Sequence, residues 1–192
     1  KVRTSILLAG SLAARHGGAV IYPPGGDVIG RRRLDTHFYG LGRLGVDIES
    51  SGAYRFSAQG LIGADMVLDE ASVTATENIL MAAVLAKGTS TMYNAACEPH
   101  VQDLACLLNK MGARISGIGT NKLTIEGVSV LNGAEHRVQP DYIEIGSFIA
   151  AAAVTRGRLM ISDAGDPLVL HVMEKTFSKM GVEWTLENGT LT

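Results

Sequence analysis

The sequence predicts an α/β fold made of repeated strand–helix–strand–helix–hairpin units of about 70 residues. Three features recur in the same order: an alanine-rich segment, a glycine that follows it, and a second glycine that closes an amphipathic stretch and opens a strand-like one. Alternating helices and hairpins form mixed sheets covered by helices, which gives the fold class. The first glycines are Gly18, Gly88 and Gly157, and the second are Gly45, Gly112 and Gly181.

Each unit begins with an Ala/Leu-rich helix, because these residues favour helical backbone and the small ones allow close packing against a sheet. The first helices are predicted at residues 5–15, 76–86 and 147–155. A glycine then ends the helix, as is common at a helix C-terminus, and a short strand follows. The strands are predicted at residues 19–22, 90–93 and 159–161, and the second helices at residues 36–44, 100–110 and 168–179.

A hairpin closes each unit, and the third unit shows it best. Residues 182–186 fit a strand, Asn188-Gly189 is a strong signal for a two-residue turn, and a second strand starts at Thr190. An additional strand precedes the second and third units, at residues 65–68 and 136–138. The first unit has no such strand and the last hairpin stops at Thr192, so we expect the chain to be a piece of a longer protein.

The composition limits the classes of function. The 192 residues include 17 basic and 19 acidic side chains, and the net charge of −2 argues against binding nucleic acid by neutralising phosphates. A local anion site remains compatible with this net charge. No run of about 18 apolar residues is present, so no membrane span is expected. Cys97 and Cys106 form neither a disulfide framework nor a zinc motif, and they fit a reducing cytoplasm.

The strongest local signal for a binding site is a glycine-rich loop followed by arginines. Pro23-Pro24-Gly25-Gly26-Asp27 precedes Arg31-Arg32-Arg33. Glycines leave backbone N–H groups accessible to an anion, and guanidinium groups add paired donors. The same residues also fit a solvated turn, Asp27 fits ordinary turn chemistry, and Arg3 fits an exposed side chain as well as an anion contact. No Walker loop, dinucleotide fingerprint or zinc spacing occurs, so no cofactor and no metal ion is predicted.

Polar residues also stand at the predicted helix starts. Asp35 and His37 fit an N-cap and a surface histidine, and Ser72 fits the N-cap of the helix that follows it. Asp141 and Glu144 fit first-turn acids that interact favourably with a helix dipole. Composition and position alone assign no function to these residues.

Longer motifs extend along the whole chain. They are Arg3-Thr4-Ser5, Pro24-Gly25-Gly26-Asp27-Val28-Ile29-Gly30 with Arg32, Asp35 and His37, Gly40-Leu41, Leu44-Gly45, Ser72-Val73, Ala75-Thr76-Glu77-Asn78, Asn94-Ala95-Ala96, Glu98-Pro99, Pro140-Asp141 and Ile143-Glu144. Together they resemble the bacterial UDP-N-acetylglucosamine 1-carboxyvinyltransferases of the enolpyruvyl transferase family. That family has six copies of the repeat unit, arranged in two lobes around the active site.

The resemblance implies an inside-out α/β architecture. Residues 1–139 then form two units of one lobe, the first without its first strand, and residues 140–192 form the truncated start of the second lobe. The implied reaction transfers the enolpyruvyl group of phosphoenolpyruvate to the 3-hydroxyl of UDP-N-acetylglucosamine and releases phosphate. This is the first committed step of peptidoglycan synthesis, and it places the protein in the cytoplasm.

The resemblance also implies roles for individual residues. Asp27 stands where most relatives carry a cysteine that protonates the methylene carbon of phosphoenolpyruvate, and some relatives carry aspartate there. Asp141 and Glu144 match positions near the crossing between the lobes, and these two residues and His37 are further candidates. The residues implied to bind substrate are Arg3, Arg32, Arg33, Leu34, Asp35, Thr36, Glu70, Ala71, Ser72 and Val73.

Two departures from the family pattern keep other functions open. Asp27 replaces the usual cysteine, so we expect resistance to fosfomycin, and Glu70 stands where the family often has a basic residue. The alternatives are a 3-phosphoshikimate enolpyruvyl transferase and a non-catalytic paralogue that binds a nucleotide sugar. Family residues for phosphoenolpyruvate binding and for proton removal lie outside residues 1–192, so we expect the isolated chain to be inactive. The sequence does not set the oligomeric state.

Overall fold

The chain folds into two units, Lys1–His136 and Arg137–Thr192, in the computed structural model, which describes residues 2–26 and 33–192. The first unit opens with a 3-10 turn, Arg3–Leu7, that continues into helix α1, Leu8–His16. Its other helices are α2 (Asp35–Arg43), α3 (Val73–Ala83) and α4 (Pro99–Lys110). Its strands are β1 (Gly18–Ile21), β2 (Asp47–Ser50), β3 (Tyr54–Ser57), β4 (Asp65–Val67), β5 (Thr89–Tyr93), β6 (Arg114–Ser116) and β7 (Lys122–Glu126).

Local signals in the sequence set the ends of these helices. Gly17 ends α1 in the left-handed conformation with a φ of 73°, which costs a residue without a Cβ little. The Ser72 side chain accepts a hydrogen bond from the Ala75 N–H and caps α3, as predicted. Pro99 stands in the first turn of α4, where its missing N–H leaves no partner unsatisfied.

The strand order repeats between the two halves of the first unit. One sheet has the order β1-β3-β2 and is antiparallel throughout. The other has the order β4-β5-β7-β6, in which β4 runs parallel to β5 and the remaining pairs are antiparallel. The order β1-β3-β2 therefore matches β5-β7-β6, which confirms the predicted repeat, and β4 is the predicted additional strand of the second half.

Helix α3 lies at the centre of the first unit. It packs against α1, α2 and α4, and its buried face extends almost around the helix. Close helix contact requires small residues: a Cβ at Gly40 of α2 would lie 2.1 Å from Ile79 Cδ1 of α3. The strands instead alternate buried and exposed residues, as in β5 and β7, so each buries one face. Helices thus form the interior and the sheets have an outer face.

The second unit contains helix α5 (Tyr142–Thr155), helix α6 (Pro167–Phe177), a 3-10 turn (Ser178–Met180) and the strands β8 (Leu186–Glu187) and β9 (Thr190–Leu191). Asn188 and Gly189 both have positive φ, 49° and 75°, as a type I′ turn requires. The predicted Asn-Gly hairpin is therefore confirmed. The hydrophobic core of the second unit is small and consists of Ile145, Ile149, Ala164, Leu170 and Leu191.

Several details of the predicted elements are wrong. Of the strand predicted at residues 182–186 only Leu186 lies in β8, and the helix predicted at residues 147–155 already begins at Tyr142. Residues 159–161 form no strand; Ile161 makes a single antiparallel bridge to Leu191, because the partner strand β9 has only two residues. This bridge between Ile161 and β9 corresponds to the pairing of β1 with β3 in the first unit. Residues 136–138 form no strand either, since no described strand pairs with them and Val138 is 75% exposed. In the third repeat, helix α5 ends at Arg156, with a φ of 52°, in place of the predicted Gly157.

Among the described residues, no helix combines the length and the hydrophobicity that crossing a bilayer requires.

Candidate functional site

A pocket of about 400 Å³ in the first unit collects several of the predicted site residues. Arg3, Arg33, Leu34 and Asp35 line it, together with Pro23, Pro24, Phe38 and Tyr54. The Phe38 and Tyr54 rings contact each other in a tilted arrangement with their centroids 5.0 Å apart. The pocket therefore combines two guanidinium groups with an aromatic wall. Asp27, Arg31 and Arg32, which the sequence also places here, lie outside the described residues.

The charges at this pocket come from the start of the chain and the start of α2. Arg3 Nη2 donates a hydrogen bond of 3.4 Å to the Arg33 carbonyl oxygen, which links the 3-10 turn to residues 33–34. The Arg33 guanidinium pairs with the Asp35 carboxylate through Nε and Nη2. Both side chains are more than half exposed, so the pair contributes little to stability. Its effect is to hold the guanidinium at the pocket, where it retains donors for an anion.

Asp35 does not cap α2, contrary to the sequence expectation. Leu34 is the N-cap residue and makes no side-chain hydrogen bond, and Asp35 is the first helical residue. Its carboxylate is favourable in the first turn because of the helix dipole, and it is oriented by Arg33 rather than by the helix N–H groups.

The resemblance implies that residues 32–36 and 70–73 bind the nucleotide substrate. Their described parts, residues 33–36 and 70–73, lie side by side. Thr36 Oγ1 donates a long hydrogen bond of 3.5 Å to Glu70 Oε1. The contact arises because residues 33–36 lead into α2, residues 70–73 lead into α3, and these two helices pack closely at Gly40. The structure thus brings together Arg3 and both segments.

His37 is buried, so the interpretation of it as a surface residue is wrong. Only 3% of it is exposed, Nδ1 lies 3.1 Å from Asn78 Nδ2, and Nε2 lies 3.3 Å from Thr74 Oγ1. Burial, together with the smaller effect of the positive charge of Arg3, lowers the pKa of the imidazole to about 4. His37 is therefore neutral at pH 7.

Asn78 is a residue of this region to which the sequence reasoning gave no separate role. Its side chain is fully buried and bonded to three other segments. One signal was available in the sequence: Glu77 and Asn78 are polar between the small and apolar residues of a helix that is otherwise predicted to be buried.

Asp141 and Glu144 belong to the second unit. The Asp141 side chain caps α5 by accepting hydrogen bonds from the N–H groups of Ile143 and Glu144, at 2.9 and 3.3 Å. Glu144 stands in the first turn, so the predicted arrangement with the helix dipole is confirmed. A substrate role for either residue stays a prediction.

A larger pocket of about 570 Å³ in the second unit contains none of the predicted site residues. It lies between the end of α5 and the β8–β9 hairpin, with Arg156, Arg158 and Trp184 among its lining residues. The larger pocket therefore does not coincide with the predicted site. Within residues 2–26 and 33–192, no three His, Cys, Asp or Glu side chains are grouped so that they could hold a metal ion.

Comparison with known proteins shows the family. The family model for EPSP synthase (3-phosphoshikimate 1-carboxyvinyltransferase) matches residues 1–192. The UDP-N-acetylglucosamine 1-carboxyvinyltransferase of Treponema denticola is 60% identical over 192 residues, which are 100% of this chain and 45% of that protein. The enzyme of the same name from Treponema pallidum is 58% identical over 96% of this chain and 43% of its own length. The chain thus spans less than half the length of these relatives.

The fold agrees with solved structures of the same class. The crystal structure of the enolpyruvyl transferase NikO from Streptomyces tendae superposes with a TM-score of 0.74 at 23% sequence identity, over 94% of this chain and 44% of that one. The predicted enolpyruvyl transferase architecture and the resemblance on which it rested are thereby confirmed. Because one family model matches all 192 residues, the chain belongs to the EPSP synthase (3-phosphoshikimate 1-carboxyvinyltransferase) family.

Proposed function

We propose that the whole protein carrying this chain transfers the enolpyruvyl group of phosphoenolpyruvate to the 3-hydroxyl of UDP-N-acetylglucosamine and releases phosphate. The observation that carries the proposal is the pocket at which Arg3 and residues 33–35 meet, beside the contact between Thr36 and Glu70. The names of the 60% and 58% identical relatives support the same acceptor. Peptidoglycan synthesis in the cytoplasm, and with it cell shape and division, is the process that such an activity serves.

Charge complementarity supports this assignment. Phosphoenolpyruvate carries a phosphate and a carboxylate, and UDP-N-acetylglucosamine carries a diphosphate, so both substrates require cationic donors. Arg3 and Arg33 supply two guanidinium groups at the pocket, and we assign Arg32 to the phosphate of phosphoenolpyruvate. A guanidinium binds phosphate through two parallel N–H donors, which fixes orientation as well as position.

Glu70 suits a different part of the nucleotide. A carboxylate repels phosphate but accepts hydrogen bonds from hydroxyl and N–H groups. Since Glu70 already accepts from Thr36, we assign residues 70–73 to the ribose or the base of the nucleotide, with Leu34, Ala71, Ser72 and Val73 as neighbouring contacts. The replacement of a basic residue by Glu70 is then compatible with binding the uridine end.

The chemical step requires an acid, and we assign that role to Asp27. Protonation of the methylene carbon makes the adjacent carbon, which bears the phosphate, electrophilic toward the 3-hydroxyl oxygen. The hydroxyl gives its proton to a base outside residues 1–192 as the new carbon–oxygen bond forms. Loss of phosphate and of one methyl proton then restores the double bond, so the product is an enol ether and the acid regains its proton.

The proposal is tested by phosphate release in the whole protein with phosphoenolpyruvate and each of two acceptors. We expect turnover with UDP-N-acetylglucosamine and none above background with shikimate 3-phosphate. The reverse preference would assign the chain to the shikimate branch of its family. Tight binding of UDP-N-acetylglucosamine by calorimetry without turnover would assign it to a non-catalytic nucleotide-sugar-binding protein.

Resistance to fosfomycin follows from Asp27. The epoxide alkylates a cysteine thiolate in relatives, whereas a carboxylate is a much poorer nucleophile, so we expect no covalent adduct and no time-dependent loss of turnover. The matched control is Asp27→Cys, for which we expect an adduct and inactivation. Intact-mass spectrometry after incubation measures both, and an adduct on Asp27 of the unaltered protein would contradict the prediction.

A further inference from the structure

One buried amide connects the segments of the candidate site. Asn78 Oδ1 accepts a hydrogen bond of 2.8 Å from the Gly10 N–H, and Nδ2 donates to the Ile6 carbonyl oxygen at 3.1 Å and to His37 Nδ1 at 3.1 Å. Both N–H groups of the amide are therefore used, and its oxygen is occupied. The partners belong to the 3-10 turn, α1 and α2, while Asn78 itself belongs to α3.

The backbone partners fix the orientation of the amide and the tautomer of the histidine. The Gly10 N–H can only donate and the Ile6 carbonyl can only accept, so the Asn78 oxygen must face Gly10 and its nitrogen must face Ile6. Nδ2 then donates to His37, which requires a lone pair on Nδ1 and places the ring proton on Nε2. That proton is donated to Thr74 Oγ1 at 3.3 Å.

The helices α1 and α3 pack tightly where Asn78 contacts Ile6 and Gly10. Ile6 and Gly10 are four residues apart, the spacing of an α-helical hydrogen bond, and Asn78 contacts both where the 3-10 turn passes into α1. A Cβ at Gly10 would lie 2.3 Å from the Asn78 carbonyl oxygen and 2.7 Å from Oδ1. A glycine is thus needed for α1 and α3 to approach this closely, and the approach places the amide between the helices.

We propose that Asn78 is a positioning residue for substrate binding: its amide sets the arrangement of Arg3, residues 33–36 and residues 70–73. Arg3 lies in the turn that contains Ile6, residues 33–36 lead directly to His37, and residues 70–73 lead into the helix of Asn78. The segments that meet at the pocket are therefore tied together behind it by one side chain. The inference rests on the proposed function, since it concerns the same site.

Two substitutions of similar size test the proposal in the whole protein. Asn78→Asp keeps the acceptor for Gly10 but removes both donors, and Asn78→Leu removes every hydrogen bond. Thr76→Val is the matched control, because Thr76 is equally buried on α3 and its side chain accepts from the N–H of Ala96, a residue to which no substrate contact is assigned, at 3.0 Å. All three lose buried hydrogen bonds and should lower the unfolding temperature.

The kinetic constants separate positioning from stability. For both Asn78 variants we expect KM for UDP-N-acetylglucosamine to rise roughly 10-fold or more, since small displacements of binding groups have effects of this order, while kcat changes less. Thr76→Val should leave both constants within about twofold. Nitrogen NMR of His37 should place its proton on Nε2 in the unaltered protein and on Nδ1 in Asn78→Asp, where a carboxylate accepts it.

The outcomes distinguish this inference from the proposed function. Turnover in the unaltered protein with unchanged KM in Asn78→Asp would overturn the positioning role and leave the function standing. Absence of turnover in the unaltered protein would contradict the function, and the dissociation constant of UDP-N-acetylglucosamine by calorimetry would then replace KM as the measure. Equal affinities for this ligand in the unaltered protein and Asn78→Asp, including no binding by either, would overturn the inference.

Discussion

Asp27→Asn should lower kcat of the whole protein by roughly 10²- to 10⁴-fold, the usual contribution of a general acid. The amide has nearly the size of the carboxylic acid but cannot give up a proton to the methylene carbon of phosphoenolpyruvate. Substrate binding should change much less, because the arginines that we assign to the substrate anions are untouched. Steady-state phosphate release with saturating substrates measures the loss.

The proposed role of Asp27 requires that its carboxyl group be protonated when the reaction begins. An ordinary aspartate has a pKa of about 3.9, so half-protonation at pH 7 requires a rise of roughly 4 kcal/mol in the cost of its ionised form. Neighbouring arginines oppose that rise, whereas bound phosphate and carboxylate groups and the loss of water favour it. Asp27 should therefore become a competent acid only when both substrates are bound.

Asp27→Cys is the control for the loss. A thiol with a pKa of about 8.5 is protonated at pH 7 without assistance, and most relatives have cysteine at this position, so this variant should retain turnover. Near-normal turnover of Asp27→Asn would remove Asp27 from the mechanism. Loss of turnover in both variants would show that the position tolerates only aspartate for reasons other than proton transfer.

Local signals account for what the sequence could predict. Gly45, Gly112 and Gly181 marked the ends of helical segments, Ser72 and Asp141 marked helix starts, and Asn188-Gly189 marked a tight turn, because each depends on a few neighbouring residues. The repeat predicted that both halves of the first unit contain the same elements, and the structure gives both the same strand order, β1-β3-β2 and β5-β7-β6. Residue types drew attention to the arginines beside the glycine-rich loop, and the family resemblance implied the other residues of the candidate site.

The features that the sequence could not predict depend on packing between segments that are distant along the chain. His37 follows Asp35 and Thr36 and fits an exposed position, yet it is buried because Gly40 allows α2 to approach α3. The role of Asn78 depends on partners that are distant in sequence, including Ile6 and Gly10, and no local pattern announces them. The strand predicted at residues 136–138 failed for a related reason, since a strand requires a partner.

His37 should make the folded chain sensitive to mild acid. Its pKa is about 4 in the folded state, lowered by burial and by Arg3, against 6.5 for an ordinary histidine. Between these values the unfolded chain binds a proton that the folded chain does not, so stability is fully present above pH 6.5 and is lost as the pH falls toward 4. The loss from this group should reach about 2 kcal/mol at pH 5 and about 3 kcal/mol at pH 4.

The acid sensitivity arises because protonation of His37 would place two hydrogen-bond donors against each other. Protonated His37 would carry a proton on Nδ1, which would face the N–H of Asn78, and the orientation of that amide is fixed by Gly10 and Ile6. The pair cannot relax by turning the amide. Burial of an unpaired positive charge adds to the cost, and the nearby Arg3 guanidinium offers no compensation.

His37→Asn isolates the effect, because its side-chain oxygen can still accept from Asn78 but does not titrate in this range. The free energy of unfolding in urea, followed by circular dichroism between pH 7.5 and 4, should fall by about 3 kcal/mol more in the unaltered chain than in the variant. Other acid-sensitive groups, such as Glu77 with its raised pKa, are common to both and cancel in the difference. Parallel pH curves would mean that His37 accepts a proton without cost, which would contradict its lowered pKa.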